Sequence, residues 1–452
     1  MKRLITFLFV SMFLLSTASV FGQYVDNGVF PDTNTYKIGG RALNGGLGVD
    51  PAGKVWLRQY YADTDSIIQA GTGKMIAVTP ISVYNANGTP ASFSPIKVLT
   101  GPDQNGATVT DTLTGTNTGG RINPSNGNFV INVGTKNGFA AFWEVDYKTG
   151  AGVKRIATPY PSNNAGVGID GFGNYYTVNV LGGLVGQVIS PAGALGDKYA
   201  ESVPDIGRTI AASRDGKNVY VPRFTVQKIF VYHTDAGEGF GPFTLADSFA
   251  IGGSSESIDI HPKTGYVWFS TDSARSKMDT VSVARRVWGD NVYYGYNPTT
   301  KTIVDSFRVD SWKGIATLFP RGIAFSSTGD TVYVSHFDGR VNANTIRRFV
   351  KGTTSVRRDP ELIATNYSLM QNYPNPFNPS TQIKFTVPSN VTVSLKVYDM
   401  LGKVIATLVE GDYAAGSYTA ELNGKDLSSG MYFYTLTTSN GFSQTKKMLL
   451  IK

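Results

Sequence analysis

The chain lacks cysteine entirely and has few histidines and few charged residues. Of its 452 residues, 16% are charged, three are histidine and none is cysteine. The absence of cysteine excludes a disulfide framework, thiol catalysis, cysteine metal ligands and a lipid-modified cysteine. The formal net charge of +8 is spread too thinly along the chain to predict nucleic-acid binding. Abundant glycine, with 51 residues, and frequent Tyr, Phe, Val and Thr favour an all-β protein.

Long apolar runs are absent after the N-terminus. Lys2 and Arg3 precede an apolar stretch over residues 4–15, and small residues follow shortly before Gln23. The stretch is shorter than the roughly twenty residues that a membrane helix requires. The pattern predicts a secretory signal peptide over residues 1–22, cleaved before Gln23. No second such run follows, so we expect no transmembrane segment in the mature chain.

Alternating strands fill the last fifth of the chain. Four prolines within residues 374–388 remove backbone donors and fix φ, which predicts an extended lead-in and excludes a helix or a central strand. Period-2 alternation then predicts half-buried antiparallel strands. These strands are expected at 382–387, 392–398, 404–408, 417–422, 431–437 and 443–451. With turn residues between them, they predict a small β-sandwich.

The order of these pieces resembles the C-terminal sorting domain of the type IX secretion system, an Ig-like module of the Bacteroidetes and their relatives. The resemblance covers residues 366–452. The residues that carry it are Asn372, Tyr373, Pro374, Asn375, Pro376, Phe377, Asn378, Pro379, Lys446, Lys447 and Lys452. It implies recognition by the type IX secretion machinery, and a sortase that removes the domain and attaches the rest to the surface. The expected location is extracellular or on the outer-membrane surface, reached via the periplasm. The alternative is an Ig-like domain that merely packs against its neighbour.

The middle of the chain repeats one phrase. Each copy has an apolar strand, a tight turn rich in Pro, Asp and Gly, and a more aromatic strand, which together predict a β-hairpin. The turn glycines of the copies are Gly53, Gly127, Gly173, Gly216, Gly265 and Gly329. A second phrase, seen at residues 145–150 and 231–237, supplies a third strand and the turn to a fourth. Four strands recurring about every 40–50 residues are typical of β-propeller blades.

The repeat therefore predicts a β-propeller over residues 23–352. We expect six blades, with seven as the alternative, because the intervals 53–127 and 265–329 have room for insertions or for a blade with a decayed turn. Residues 24–44 are expected to add a strand to the last blade and close the ring. The stretch 24–352 resembles NHL and YVTN-type propellers, a resemblance that implies a scaffold and not a function. Residues 353–365 lack the repeat and are predicted to form a linker.

Three charged residues share one position of the repeat. Arg208, Glu256 and Arg321 lie at the same offset from their turns, each directly before an apolar strand. If these strands are innermost, the three side chains gather at one mouth of the central channel, where propellers place ligand sites. Two guanidiniums would bind a carboxylate or a sugar oxygen, and the glutamate would orient them. The alternative is that the three charges pair with one another and close the channel.

The sequence contains no recognisable catalytic motif. Metalloprotease, nucleophile-elbow and phosphate-loop patterns are all missing. The histidines, His233, His261 and His336, lie in separate repeats and are expected to be structural. His261 occupies the turn position that Asp50 and Asp170 hold elsewhere. We therefore assign no catalytic residue, no metal ligand and no cofactor.

The predicted function is a secreted or cell-surface β-propeller that binds a surface glycan, another polymer or a protein. The alternative is a propeller lactonase- or lyase-type enzyme, in which a divalent metal in the central channel acts as a Lewis acid with Glu256 as one ligand. The channel mouth distinguishes the two. Oxygen ligands converging with Glu256 favour the enzyme, whereas Arg208 and Arg321 flanking an open pocket favour binding.

Overall fold

The computed structural model describes two compact units, which are treated separately below. One unit is Tyr24–Lys351 and the other contains Gly352–Lys452. The described residues are 24–31, 43–59, 65–69, 71–114, 119–133, 140–158, 166–178, 186–200, 207–223, 226–251, 255–271, 291–309, 319–337, 346–351, 356–359, 366–389, 391–413, 416–425 and 427–452. The predicted signal peptide, residues 1–22, lies outside them. Apart from a short 3-10 helix at Gly237–Gly239, the regular elements of the described residues are β-strands.

The first unit is built from sheets whose strands mostly follow one another along the chain. Its strands are β1 (Tyr24–Phe30), β2 (Leu43–Val49), β3 (Val55–Gln59), β4 (Asp65–Ile68), β5 (Met75–Val78), β6 (Ile81–Tyr84), β7 (Val98–Pro102), β8 (Thr108–Thr112), β9 (Gly120–Ile122), β10 (Phe129–Val133), β11 (Ala141–Val145), β12 (Gly152–Ala157), β13 (Gly168–Ile169), β14 (Tyr175–Val178), β15 (Gly186–Ile189), β16 (Leu195–Ala200), β17 (Ala211–Ala212), β18 (Asn218–Arg223), β19 (Lys228–His233), β20 (Thr244–Ala250), β21 (Ile258–Ile260), β22 (Val267–Thr271), β23 (Val292–Asn297), β24 (Thr302–Arg308), β25 (Phe319–Phe325), β26 (Thr331–Phe337) and β27 (Ile346–Lys351). Three sheets are runs of four consecutive strands: β13–β16, β17–β20 and β21–β24. A further sheet joins β9–β12 to β2, β3 and β6.

Each copy of the repeat folds as the β-hairpin that the sequence predicts. The hairpins pair β2 with β3, β9 with β10, β13 with β14, β17 with β18, β21 with β22 and β25 with β26. The turn glycines have positive φ angles, from +68° at Gly216 to +85° at Gly173. Glycine adopts this left-handed region readily because it has no Cβ. The recurrent glycine of the sequence phrase is therefore required by the turn.

The first strands of these hairpins contact one another in a closed cycle. The order of contact is β2, β9, β13, β17, β21 and β25, and β25 contacts β2 again. The last sheet contains β25, β26 and β27 and also β1, the first strand of the unit. β1 pairs antiparallel with β27 from Tyr24↔Lys351 to Phe30↔Ile346. This pairing confirms the predicted closure. The unit is thus an all-β, propeller-like arrangement.

The long interval between Gly53 and Gly127 contains insertions. The hairpin β4–β5 lies between β3 and β6, and the hairpin β7–β8 lies between β6 and β9. Neither hairpin belongs to the sheet that contains β2, β3 and β6. The interval is therefore filled by two hairpins outside that sheet, as the expectation of insertions requires.

The second unit consists of two four-stranded antiparallel sheets around one core. Its strands are β28 (Val356–Asp359), β29 (Ser368–Leu369), β30 (Ser380–Val387), β31 (Val391–Tyr398), β32 (Val404–Tyr413), β33 (Gly416–Asn423), β34 (Gly430–Thr438) and β35 (Ser443–Leu450). The sheet orders are β28-β33-β30-β29 and β32-β31-β34-β35. The alternating residues Phe385 and Leu395 are fully buried in that core, as their period-2 pattern predicts.

The segment predicted as a linker, residues 353–365, contains the strand β28. It pairs with β33 from Val356↔Ala420 to Asp359↔Ser417. The sequence did not reveal this strand, because its four residues include three consecutive charged side chains and show no apolar alternation. Charged side chains are common on edge strands, where they discourage pairing with other chains. β28 occupies such an edge.

Candidate functional site

The structure brings Arg208, Glu256 and Arg321 together. Arg208 and Glu256 precede β17 and β21, and Arg321 lies in β25, so the three side chains start from neighbouring first strands. Glu256 lies between the two arginines. Its Oε1 is 3.6 Å from Nε of Arg208, and its Oε2 forms an ion pair with Nε of Arg321. The pairing that was the alternative prediction is therefore present.

These three side chains differ sharply in exposure. The Glu256 and Arg321 side chains are 0% and 7% exposed, whereas that of Arg208 is 32% exposed. A buried carboxylate is tolerated when cations compensate its charge, and here two guanidiniums share one carboxylate. Solvent reaches the cluster through Arg208.

A second charged pair, Arg121 and Asp259, joins strands across the ring and was not among the predicted site residues. Arg121 of β9 forms an ion pair with Asp259 of β21, with 2.5 Å between Nη1 and Oδ1. The same guanidinium donates hydrogen bonds to the carbonyls of Val167 (2.9 Å), Ile210 (3.2 Å) and Ile258. In the cycle of first strands, β9 and β21 occupy opposite places. Arg121 therefore ties together strands from across the ring.

A signal for this pair is nonetheless present in the repeat. Both residues lie two positions before the first residue of their turns. The six residues at this position are Gly48, Arg121, Gly168, Ala211, Asp259 and Ala324. Four small side chains thus accompany one arginine and one aspartate. In a closed ring the small residues leave space for the arginine side chain.

Burial sets the electrostatics of Asp259. It raises the pKa of this carboxyl above its ordinary value, and the Arg121 guanidinium acts in the opposite direction. The side chains of Arg121 and Asp259 are 15% and 23% exposed, so the pair is only weakly screened by water.

The histidines contact protein groups. Nδ1 of His261 accepts hydrogen bonds from the backbone N–H groups of Lys263 and Thr264, at 3.3 and 3.2 Å. Nδ1 of His233 lies 2.9 Å from Oδ1 of Asn218, and His336 is fully buried. Among the residues described, no three His, Asp or Glu side chains are grouped closely enough to hold a metal ion.

The proline-rich block of the second unit is fastened to the last strand. The N–H of Phe377 donates to the carbonyl of Leu449 (2.9 Å), and the N–H of Ile451 donates to the carbonyl of Phe377 (3.0 Å). The Asn372 side chain donates to Oγ1 of Thr381 (3.0 Å) and is buried. These contacts hold the proline-rich lead-in against the last strand of the module.

Other residues of the sorting signal face solvent. Tyr373, Pro374, Asn375, Pro376, Asn378, Pro379, Lys447 and Lys452 are exposed, and Lys446 is partly exposed. The Tyr373 side chain is 82% exposed. The signal thus divides into residues that hold the fold and residues that a partner can reach.

Comparison with known proteins identifies the C-terminal region. Residues 371–452 match the family described as the secretion system C-terminal sorting domain. The match confirms the resemblance to the type IX sorting domain. It implies export through that system to the cell surface or the extracellular space, and interaction with its machinery. Within the described part of the chain, no helix is both long and apolar enough to span a membrane.

The chain is also similar to a solved propeller structure at low sequence identity. A solved structure described as "Structure of Dos1 propeller" is similar at 8% identity, with 69% of this chain and 93% of that chain covered and a TM-score of 0.39. We transfer no property of that protein to this chain. No curated protein matches the sequence.

Proposed function

We propose that this protein is a six-bladed β-propeller that binds an acidic ligand outside the cell. The six repeat hairpins and the closed cycle of their first strands support the blade number. Two four-stranded sheets around one core support an Ig-like sorting module in the second unit. In this proposal the chain passes through the periplasm after removal of residues 1–22, and a sortase acts on the sorting domain.

The observation that carries the proposal is the shared carboxylate of Glu256. The cluster joins two guanidiniums to one carboxylate, and the Arg208 side chain is 32% exposed. A guanidinium presents fork-shaped donors that match a carboxylate or an acidic sugar. Arg208 would contact the ligand, whereas the buried Arg321 would add to the positive field. Glu256 would keep both arginines in position.

The same observation disfavours the metal-dependent lactonase- or lyase-type enzyme. That activity would use Glu256 as a ligand of a divalent cation. Both oxygens of this carboxylate already lie against guanidinium groups. A metal ion would have to displace two buried or half-buried cations, so binding is the better supported function.

A binding screen on the full chain tests the proposal. Acidic and neutral glycans and metabolites are tested with and without Ca²⁺ or Zn²⁺, and then with Arg208→Ala. We expect an acidic ligand that binds without metal, and at least about tenfold weaker binding in Arg208→Ala, because a charged hydrogen bond is lost. Arg308→Ala, which removes an exposed arginine of β24, is the matched control and should bind normally.

Two outcomes would reject this assignment. If no acidic ligand of the screen loses affinity in Arg208→Ala, the proposed site at Arg208 is wrong. Binding or turnover that requires a divalent metal and is lost in Glu256→Gln would favour the enzyme.

A further inference from the structure

The unit has a cavity at the end of the ring opposite to Arg208. Its volume is about 240 Å³, and it is lined by first strands and by turn residues such as Pro51, Pro124 and Pro262. Arg208 precedes β17, whereas the turn after β17 carries Arg214, which lines the cavity. The two places are therefore separated by the length of a first strand. We call this space the turn-side cavity.

Arg121 and Asp259 form part of the wall of the turn-side cavity. A guanidinium has five N–H donors, and four hydrogen bonds of Arg121 are made to described residues. One N–H on Nη1 is left without a partner among those residues. Asp259 likewise uses Oδ1 for Arg121 and for the N–H of Ile260, and its Oδ2 accepts no hydrogen bond from the described residues. The wall thus offers one donor and one acceptor.

The rim of the cavity adds a positive charge. Arg121 forms an ion pair with Asp259, and the exposed Arg214 acts electrostatically on the same carboxyl without forming an ion pair with a described residue. Two guanidiniums thus face one carboxylate. Ser327, also exposed, contributes a hydroxyl group. The rest of the lining is largely apolar. Its apolar side chains are Leu47, Val49, Ile122, Ile169, Ala211, Ala212, Ile260, Ala324 and Phe325.

We propose that the turn-side cavity binds one small hydroxylated acid, of the sugar-acid class. The acid group of the ligand would form an ion pair with the guanidinium of Arg214. Hydroxyl groups of the ligand would donate a hydrogen bond to Oδ2 of Asp259 and accept one from Nη1 of Arg121. The apolar lining would cover the C–H faces of the ligand, the usual composition of a small-molecule site. The volume corresponds to about eight water molecules at about 30 Å³ each. It therefore suits a single sugar-acid molecule and not an extended polysaccharide.

This site is additional to the proposed ligand site at Arg208, and neither depends on the other. Isothermal titration calorimetry of the full chain with D-glucuronate tests it, with D-glucose as the neutral probe. We expect glucuronate to bind and glucose to bind at least about tenfold more weakly. Arg214→Ala and Arg214→Gln should each weaken glucuronate binding about tenfold. Because Arg214 is exposed, both variants should fold, and equal melting temperatures would verify this.

Two controls separate this site from the other. Arg308→Ala removes another exposed arginine, from β24, and Arg208→Ala alters the proposed site at Arg208, so both variants should bind glucuronate normally. Absence of saturable glucuronate binding would overturn the turn-side site. Binding that persists in both Arg214 variants would overturn it as well. If Arg208→Ala alone abolishes binding, the acid belongs to the other mouth, which would support the proposed function and reject this second site.

Discussion

The first residue of the repeat turn performs two tasks at once in two of the repeats. Oδ1 of Asp50 accepts the N–H groups of Ala52 and Lys54, and Oδ2 accepts Nε1 of the buried Trp56, all at 2.9 Å. Asp170 makes the same arrangement, with the hydroxyl of Tyr176 in place of the indole. One carboxylate therefore closes the turn and positions the aromatic side chain of the next strand.

Asp50→Ala should destabilise the first unit by about 3 kcal/mol. The substitution leaves the fully buried indole N–H of Trp56 without an acceptor and removes two bonds from the turn. Asp215→Ala in another repeat turn is the matched control, because Asp215 is exposed and should cost less than about 1 kcal/mol. Urea unfolding monitored by tryptophan fluorescence measures both. Equal losses would show that the indole bond contributes little.

His261 should make stability depend on pH. Burial lowers its pKa below the ordinary value near 6.5, because desolvation disfavours the charged ring. Nδ1 accepts hydrogen bonds from two backbone N–H groups, which it can do only when it carries no proton. The unfolded chain then takes up a proton before the folded chain does. The stabilisation is complete above about pH 6.5 and decreases as the pH falls toward the folded-state value.

His261→Asn provides the comparison, because asparagine holds this turn position in another repeat as Asn123, whose Oδ1 accepts the N–H of Ser125. We expect the melting temperature of the unmodified protein to fall more between pH 7.5 and 5.5 than that of the variant. Parallel curves for the two proteins would assign the pH dependence to other groups.

At the scale of the element, β1 supplies the outer strand of the last sheet. Tyr24 is buried there, and its ring meets Trp268 and Phe307 edge-on, with centroids 5.6 and 5.5 Å away. Its hydroxyl donates to the carbonyl of Gly329 at 2.5 Å. A single side chain thus anchors the start of the unit to the two sheets that end it.

Tyr24→Ala should cost about 3–5 kcal/mol because it removes a large buried aromatic side chain. Tyr24→Phe removes only the hydroxyl and should cost about 1 kcal/mol. Val29→Ala, an exposed position on the same strand, should be nearly neutral. Denaturant midpoints of the three variants measure the order. A Tyr24→Ala value close to that of Val29→Ala would show that β1 is not needed to close the sheet.

The proline-rich block before β30 should show separate effects on folding and export. Phe377 is 2% exposed and Tyr373 is 82% exposed. Phe377→Ala should destabilise the second unit by about 3–5 kcal/mol, whereas Tyr373→Ala should leave its stability unchanged. If Tyr373 contacts the secretion machinery, Tyr373→Ala should still reduce export in a host with a type IX system. Normal export of Tyr373→Ala would remove this residue from the recognition surface.

At the scale of the whole molecule, the closed cycle of first strands creates contacts that no single sheet contains. Arg121 bonds to groups on three other first-strand segments, including Asp259 138 residues further along the chain. Breaking a largely buried ion pair from one side leaves a charge without compensation.

Arg121→Ala should therefore destabilise the first unit by about 3 kcal/mol. Arg155→Ala removes an ion pair of similar exposure, with 2.7 Å between Nε and Oδ2 of Asp111. It should cost only about 1 kcal/mol, because Arg155, unlike Arg121, donates no side-chain hydrogen bonds to backbone carbonyls of other described strands. The double variant Arg121→Ala/Asp259→Ala should be less destabilised than the sum of its single changes, since the uncompensated carboxylate is gone. Calorimetric unfolding measures the set, and simple additivity would contradict coupling across the ring.

The sequence by itself determined the all-β class, the repeat hairpins and the sorting domain. Each of these rests on short-range signals. The glycine at positions such as Gly53 and Gly173 is required by a local φ angle, and alternation around Phe385 reflects the pleat of a strand. The sequence also aligned Arg208, Glu256 and Arg321, because a shared offset from a turn places residues at the same end of their strands.

Only the tertiary structure decided which charged groups meet. It paired Glu256 with two arginines, and it brought Arg121 to Asp259 from the opposite side of the cycle. It also recruited β28, whose charged residues show no strand pattern, into a sheet through pairing with β33. These contacts join residues far apart in the chain, and their distances depend on how the strands close around one another. The spacing of the repeat predicts that the ring closes, but it does not give the distances between side chains across the ring.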